Sequence, residues 1–90
     1  MANFNEYYNS FSSFYNSFLR GNEIEFEYKN KRFYVLPVFV DEKVIGVRFG
    51  EAYSENDTIC FCESELYNVC IENSLLGEIS SSINIVWNNF

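Results

Sequence analysis

Histidine is absent from the chain. That removes Ser-His and Cys-His nucleophile pairs, histidine metal ligands and the usual general base near neutral pH. Glycine stands at only four positions, 21, 46, 50 and 77, too scattered for a phosphate-cradling loop. No stretch approaches the roughly 18–20 apolar residues of a membrane span. Residues 1–20 lack the basic start and the uninterrupted apolar run of a secretory signal. The three cysteines, Cys60, Cys62 and Cys70, are therefore expected as free thiols in a reducing cytosol. Cations are missing from the last forty residues.

Aromatic rings are plentiful. Ten Phe, seven Tyr and one Trp make up 20% of 90 residues, and each ring buries roughly 150–250 Å². A chain this short forms one domain, here residues 1–90, and needs such rings to build a core. No repeat or linker interrupts it.

The net charge is −7. Residues 29–50 hold five of the six cations, and residues 51–90 hold seven carboxylates and no cation. An acidic chain repels phosphate, so direct nucleic-acid binding is not expected. The run Lys29, Lys31, Arg32, Phe33, Tyr34 has the composition of a single-strand platform. In an acidic chain it reads instead as a solvated turn leading into a core strand.

Along the chain, Phe4, Tyr7, Tyr8, Phe11, Phe14, Tyr15, Phe18 and Leu19 form a helical stripe. Asn3 reads as its N-cap with Glu6 completing a capping box, and Gly21 as its C′ residue. The period then changes to two. Glu23, Glu25 and Glu27 alternate with Ile24, Phe26 and Tyr28, a strand with one wet and one buried face. Lys29-Asn30-Lys31 reads as a turn. Arg32 to Val40 reads as a strand apolar on both faces, hence central or covered twice, with Pro37 implying an irregularity. After a turn at Asp41-Glu42 come strands at Lys43–Phe49 and Thr58–Cys62, with a polar loop between them. Ser64 and Ser74 read as N-caps of short helices, and Ile83, Ile85 and Trp87 as one face of a last strand. The expected fold is α+β. An N-terminal amphipathic helix packs on an antiparallel sheet of four to five strands, with two short helices before the last strand.

Two stretches carry a resemblance: Leu19-Arg20-Gly21-Asn22-Glu23-Ile24-Glu25-Phe26-Glu27-Tyr28 with Arg32-Phe33-Tyr34, and Ser64-Glu65-Leu66 through Ser74-Leu75-Leu76 to Ile83-Asn84-Ile85-Val86-Trp87. Both resemble small uncharacterised α+β proteins of low-GC Gram-positive bacteria and their phages. In size and acidity the chain also resembles phage inhibitors of bacterial defence, including anti-CRISPR proteins. The resemblance implies a phage or mobile-element setting in a host cytosol and brings no functional residue with it.

Catalytic groupings are weak. Glu23, Glu25 and Glu27 stand about 7 Å apart on a wet face, with nothing apolar beside them to raise a pKa. Glu65 beside Glu63 is explained by a helix dipole. Cys60-Phe61-Cys62 with Cys70 offers three thiolates where structural zinc wants four ligands, so the cysteines read as core packing. No enzyme activity, cofactor or metal is expected. The expected function is a protein-binding module that docks an acidic face on the basic groove of a larger nucleic-acid-handling defence protein, such as a Cas effector. The anchors would be Glu51, Glu55 and Asp57, then Glu63 and Glu65, then Glu72 and Glu78, with Tyr53 and Tyr67 as amphipathic contacts. The alternative is a homodimeric assembly or regulatory module acting through exposed rings or a sheet edge.

Overall fold

The computed structural model describes residues 2–90. Ala2–Asn3 forms the short strand β1. Asn3 then caps a single 3-10 turn, Phe4–Glu6, rather than a long helix. Its side chain accepts from the Asn5 amide, and its own amide donates to the Glu6 carboxylate at 2.7 Å. The expected continuous helix is broken, and α1 runs only over Phe11–Leu19. Ser10 caps α1: its Oγ accepts the Ser13 amide at 3.0 Å, and the Ser13 Oγ accepts the Ser10 amide at 3.3 Å. Ser and Asn side chains compete for backbone groups, so Asn9-Ser10 ends one turn and starts the next. The aromatic stripe survives the break, with Phe4, Tyr8, Phe14, Tyr15 and Phe18 all buried. Gly21 takes φ +95°, closing the helix in the left-handed region.

A meander follows: β2 (Ile24–Tyr28), β3 (Lys31–Val40), β4 (Lys43–Glu51) and β5 (Asp57–Cys60). Its first two turns, Lys29-Asn30 and Asp41-Glu42, hold both central residues at positive φ, between 50° and 68°. That is the turn whose twist matches paired strands. The chain continues through α2 (Glu63–Tyr67), β6 (Cys70–Ile71), β7 (Ser74–Leu75), α3 (Leu76–Ile79), a 3-10 turn at Ser80–Ser82 and β8 (Asn84–Asn88). The main sheet has six strands in the order β1-β8-β2-β3-β4-β5, every pair antiparallel, and β6-β7 is a separate hairpin.

The fold is thus α+β with an antiparallel sheet, with six strands where four to five were expected. The extra strand is β1, too short to leave a period-two pattern. Two short helices do precede the last strand, but neither expected serine caps one. Cys62 is the N-cap of α2, and the Glu65 carboxylate reaches back to the Phe61 amide at 2.6 Å. Ser74 lies in β7, opposite Ile71. Pro37 sits past the end of β2, where β3 has a strand on one side only, and the register shifts just beyond it, between Val38 and Phe39. A missing donor is tolerated there.

One face of the sheet is covered. Ile24, Phe26, Val35 and Val47 point to that side and are fully buried. α1 packs over β3 and β4 and α2 over β5, with α2 contacting both α1 and α3. Phe14 and Phe18 of α1 meet edge-on at 4.9 Å, and Phe33 stacks on Phe49 at 5.8 Å in the sheet. Burying such rings stabilises by about 1.5–3 kcal/mol each. The expectation that β3 is central holds, yet its other face carries no helix layer.

Candidate functional site

Alternation sends Tyr34, Leu36 and Val38 of β3 to the side away from the helices, where all three are half-buried. Glu25 and Glu27 of β2 and Arg48 of β4 share that side. The register aligns one row across five strands: Trp87 opposite Glu25, Glu25 opposite Tyr34, Tyr34 opposite Gly50, and Gly50 opposite Asp57. Leu36, Arg48 and Ile59 form the next row.

Trp87 reaches this face because of a bulge. Ile85 pairs with Phe26 and Trp87 with Glu25, so Val86 is an extra residue on β8. A regular strand would send Ile83, Ile85 and Trp87 to one face. Ile83 and Ile85 are buried, whereas Trp87 is 45% exposed on the opposite face.

Gly50 makes room for Tyr34, since a Cβ at that position would overlap the phenol ring. The Tyr34 hydroxyl donates to Asp57 Oδ2 at 3.4 Å, and Arg48 Nη1 donates to the same oxygen at 2.9 Å. Desolvation, helped by the Asp57 charge, raises the Tyr34 phenol above its ordinary value. Arg32 bridges Glu25 and Glu27 at 3.6 and 3.7 Å. Glu23 has no cation within ion-pair distance among the described residues. Its amide donates to Asn89 Oδ1 at 2.8 Å, while Asn89 Nδ2 donates to the Gly21 carbonyl at 3.3 Å. The end of β8 is thereby clasped to the start of β2. On this face four carboxylates, Glu23, Glu25, Glu27 and Asp57, stand against three cations, Arg32, Arg48 and, at the far end opposite Val40, Lys43. Between them lies an open trough of about 430 Å³ lined by Glu23, Glu25, Tyr34, Tyr53, Trp87 and Arg48, with Leu36 and Ala52 as apolar floor.

The nine residues expected as partner anchors fall into separate groups. Asp57 lies on the open face but is held by Arg48. Glu72 pairs with Lys31 at 2.7 Å, and the Glu51 charge also acts on Lys31, so these two carboxylates surround a cation. Glu63 accepts from the Ser12 hydroxyl at 2.8 Å, and Glu65 is occupied by the Phe61 amide. Tyr67 lies against Phe11, edge-on at 5.2 Å. Glu78 is exposed on α3 and Glu55 in the β4–β5 loop. Tyr53, at φ 66° and fully exposed, overhangs the trough.

Sequence reasoning put Glu23, Glu25 and Glu27 on a wet strand face and weighed them only for acid–base chemistry. It set Trp87 on the same face as Ile83 and Ile85, and none of the four was named as a binding residue. A signal for them existed: β2 alternates acids with core residues, while its neighbour β3 is apolar on both faces. An acidic strand face beside an apolar one makes a mixed surface. The bulge that adds Trp87 leaves no such signature. Of the cysteines, Cys60 is buried and packs in the core, while Cys62 and Cys70 are exposed. No group of three or more metal-binding side chains occurs among the described residues. No helix among them is long and apolar enough to cross a membrane. No protein-family model matches the chain, and no curated protein or solved structure matches it at a significant level.

Proposed function

We propose that this protein is a non-enzymatic binding module that docks the open face of its sheet on a basic surface of a larger protein. The observation that supports it is a sheet with helices on one face only. The other face carries exposed Trp87, half-buried apolar side chains and an excess of carboxylates. A domain normally covers an apolar sheet face with a second layer. An antiparallel sheet can leave such a face to solvent, but its apolar side chains make it open to a partner, and the surplus negative charge selects a positive one. The acids of this docking face therefore come mainly from β2, with Asp57 and Tyr53 the expected anchors that share it.

The resemblance to phage inhibitors makes a nucleic-acid-binding groove of a host defence protein the first target to test. Binding to a Cas effector is measured from about 50 to about 200 mM salt, where contacts made by charge weaken steeply. Affinity should fall across that range. Glu23→Gln with Glu27→Gln should weaken binding, and Glu55→Gln with Glu78→Gln should not. An affinity indifferent to salt and to both pairs argues against the reading.

A second reading is a homodimer through β5. That strand is a sheet edge, and it carries exposed Ile59 followed by Phe61, which is 61% exposed. Edge pairing between two copies would join their sheets. Light scattering after gel filtration at micromolar concentration decides it. A monomer removes the dimer, and a dimer dissociated by Ile59→Lys supports it.

A further inference from the structure

We infer that the trough between Trp87, Tyr34 and Glu25 takes a cationic side chain, lysine or arginine, from an extended basic segment of the partner. This inference rests on the docking proposed above and names what the face recognises.

The lining matches both ends of such a side chain. Leu36 and Ala52 offer an apolar floor, and Trp87, Tyr34 and Tyr53 offer ring surface beside it. Long cationic side chains bury their aliphatic stems on apolar surface and keep the charge at its edge. Aromatic faces attract the charged head through their quadrupole, and indole does so most strongly. Two carboxylates complete the wall. Glu23 and Glu25 are both half-buried, so their charge is less screened than on open surface.

The cations already present answer this charge only in part. Arg48 lines the trough but gives its Nη1 to Asp57 at 2.9 Å. Arg32 is stretched between Glu25 and Glu27 at distances beyond hydrogen-bond length, 3.6 and 3.7 Å. An incoming guanidinium or ammonium at Glu25 therefore displaces a loose pair, and at Glu23 it meets no competing cation among the described residues. A phosphate or carboxylate ligand would face two like charges here, against one guanidinium, Arg48, that Asp57 already holds. A neutral apolar group would strip water from both acids with no compensation.

The site is also pre-shaped. The Val86 bulge sets Trp87 opposite Glu25, Gly50 admits the Tyr34 ring, and Asn89 pins the Glu23 backbone. Little ordering is left for a guest to impose, which favours binding.

The test uses capped Gly-Arg-Gly, Gly-Lys-Gly and Gly-norleucine-Gly peptides, followed by amide and indole NMR shifts. Trp87 is the only tryptophan, so its Nε1–H reports the trough alone. Saturable shifts at Trp87 and Tyr34 are expected from the arginine and lysine peptides. Norleucine, which keeps the stem and loses the charge, should bind about tenfold more weakly. Glu25→Gln and Trp87→Leu should each weaken the cationic peptides about three- to tenfold, in the range of a partly screened cation–π or ionic contact. Glu78→Gln, away on α3, should leave them unchanged. The amide spectrum of each variant verifies its fold. Equal binding of norleucine, no effect of Glu25→Gln, or no saturable shift with any peptide would overturn the inference. The docking reading is scored separately, by whether a basic partner shifts the amides of β2 and β3. Shifts there without cation selectivity retain the docking and remove the cation site, and no shifts there remove both.

Discussion

Gly77 shows how a residue-level rule can reverse sign in context. By helix propensity alone, alanine at this position of α3 should gain about 1 kcal/mol. In the fold, a Cβ there would overlap the Tyr67 ring. Gly77→Ala is therefore expected to destabilise by about 1–3 kcal/mol, the usual cost of overpacking. Urea denaturation measures it, and adding Tyr67→Ala should recover part of the loss by removing the obstructing ring. The cysteines divide just as sharply. Burial raises the Cys60 thiol above its ordinary value, with the Glu65 charge adding to the effect, while Cys62 and Cys70 are exposed. A thiol reagent should consume two groups promptly and the third only on unfolding. Three fast thiols under native conditions would contradict the buried placement of Cys60.

At the level of elements, the three tight turns show what sequence can and cannot reveal. Lys29-Asn30, Asp41-Glu42 and Glu72-Asn73 all take positive φ without glycine. The first two lie between strands long enough to show their period, and both were legible as turns. The third joins β6 to β7, two residues each, too short for a period-two signal, and serine-cap reasoning claimed that stretch instead. α1 failed differently. Its apolar spacing runs unbroken from Phe4, so periodicity favours one helix, and a cap at Ser10 divides it. Ser10→Ala removes that cap and should cost about 1 kcal/mol, read as a lower melting temperature with less helical signal. The bulge at Val86 is the costliest omission, since one uncounted residue moved Trp87 from the core to the open face. Period, turns and class could be read from the order of residues, whereas face assignment beyond a bulge requires the partner strand.

Across the whole molecule, one ion pair ties the main sheet to the small hairpin. Lys31 at the start of β3 meets Glu72 in the β6–β7 turn. Hydrogen bonding to Glu72 raises the Lys31 amine above 10.5, and the same bond lowers the Glu72 carboxyl below 4.5. A raised amine stabilises the fold below its unfolded value and stops doing so as pH climbs through the folded one. A lowered carboxyl stabilises above its unfolded value and stops as pH drops through the folded one. The pair therefore contributes on a plateau between about 4.5 and 10.5. Both groups are solvent-exposed, so the contribution is small and screened. Glu72→Gln should flatten both flanks of a melting-temperature profile slightly, and about 1 M salt should erase the difference. If the flanks stay unchanged at low salt, the pair is inert.

The strand order carries a consequence for how the chain is made. β8, synthesised last, lies between β1 and β2, which were synthesised first. While the ribosome is still translating, β1 has no neighbour to zip against and β2 has only β3, so the other edge of β2 waits for Ile85. Nascent chains arrested before residue 84 should accordingly remain open to protease, and resistance should arrive abruptly once Asn88 clears the exit tunnel.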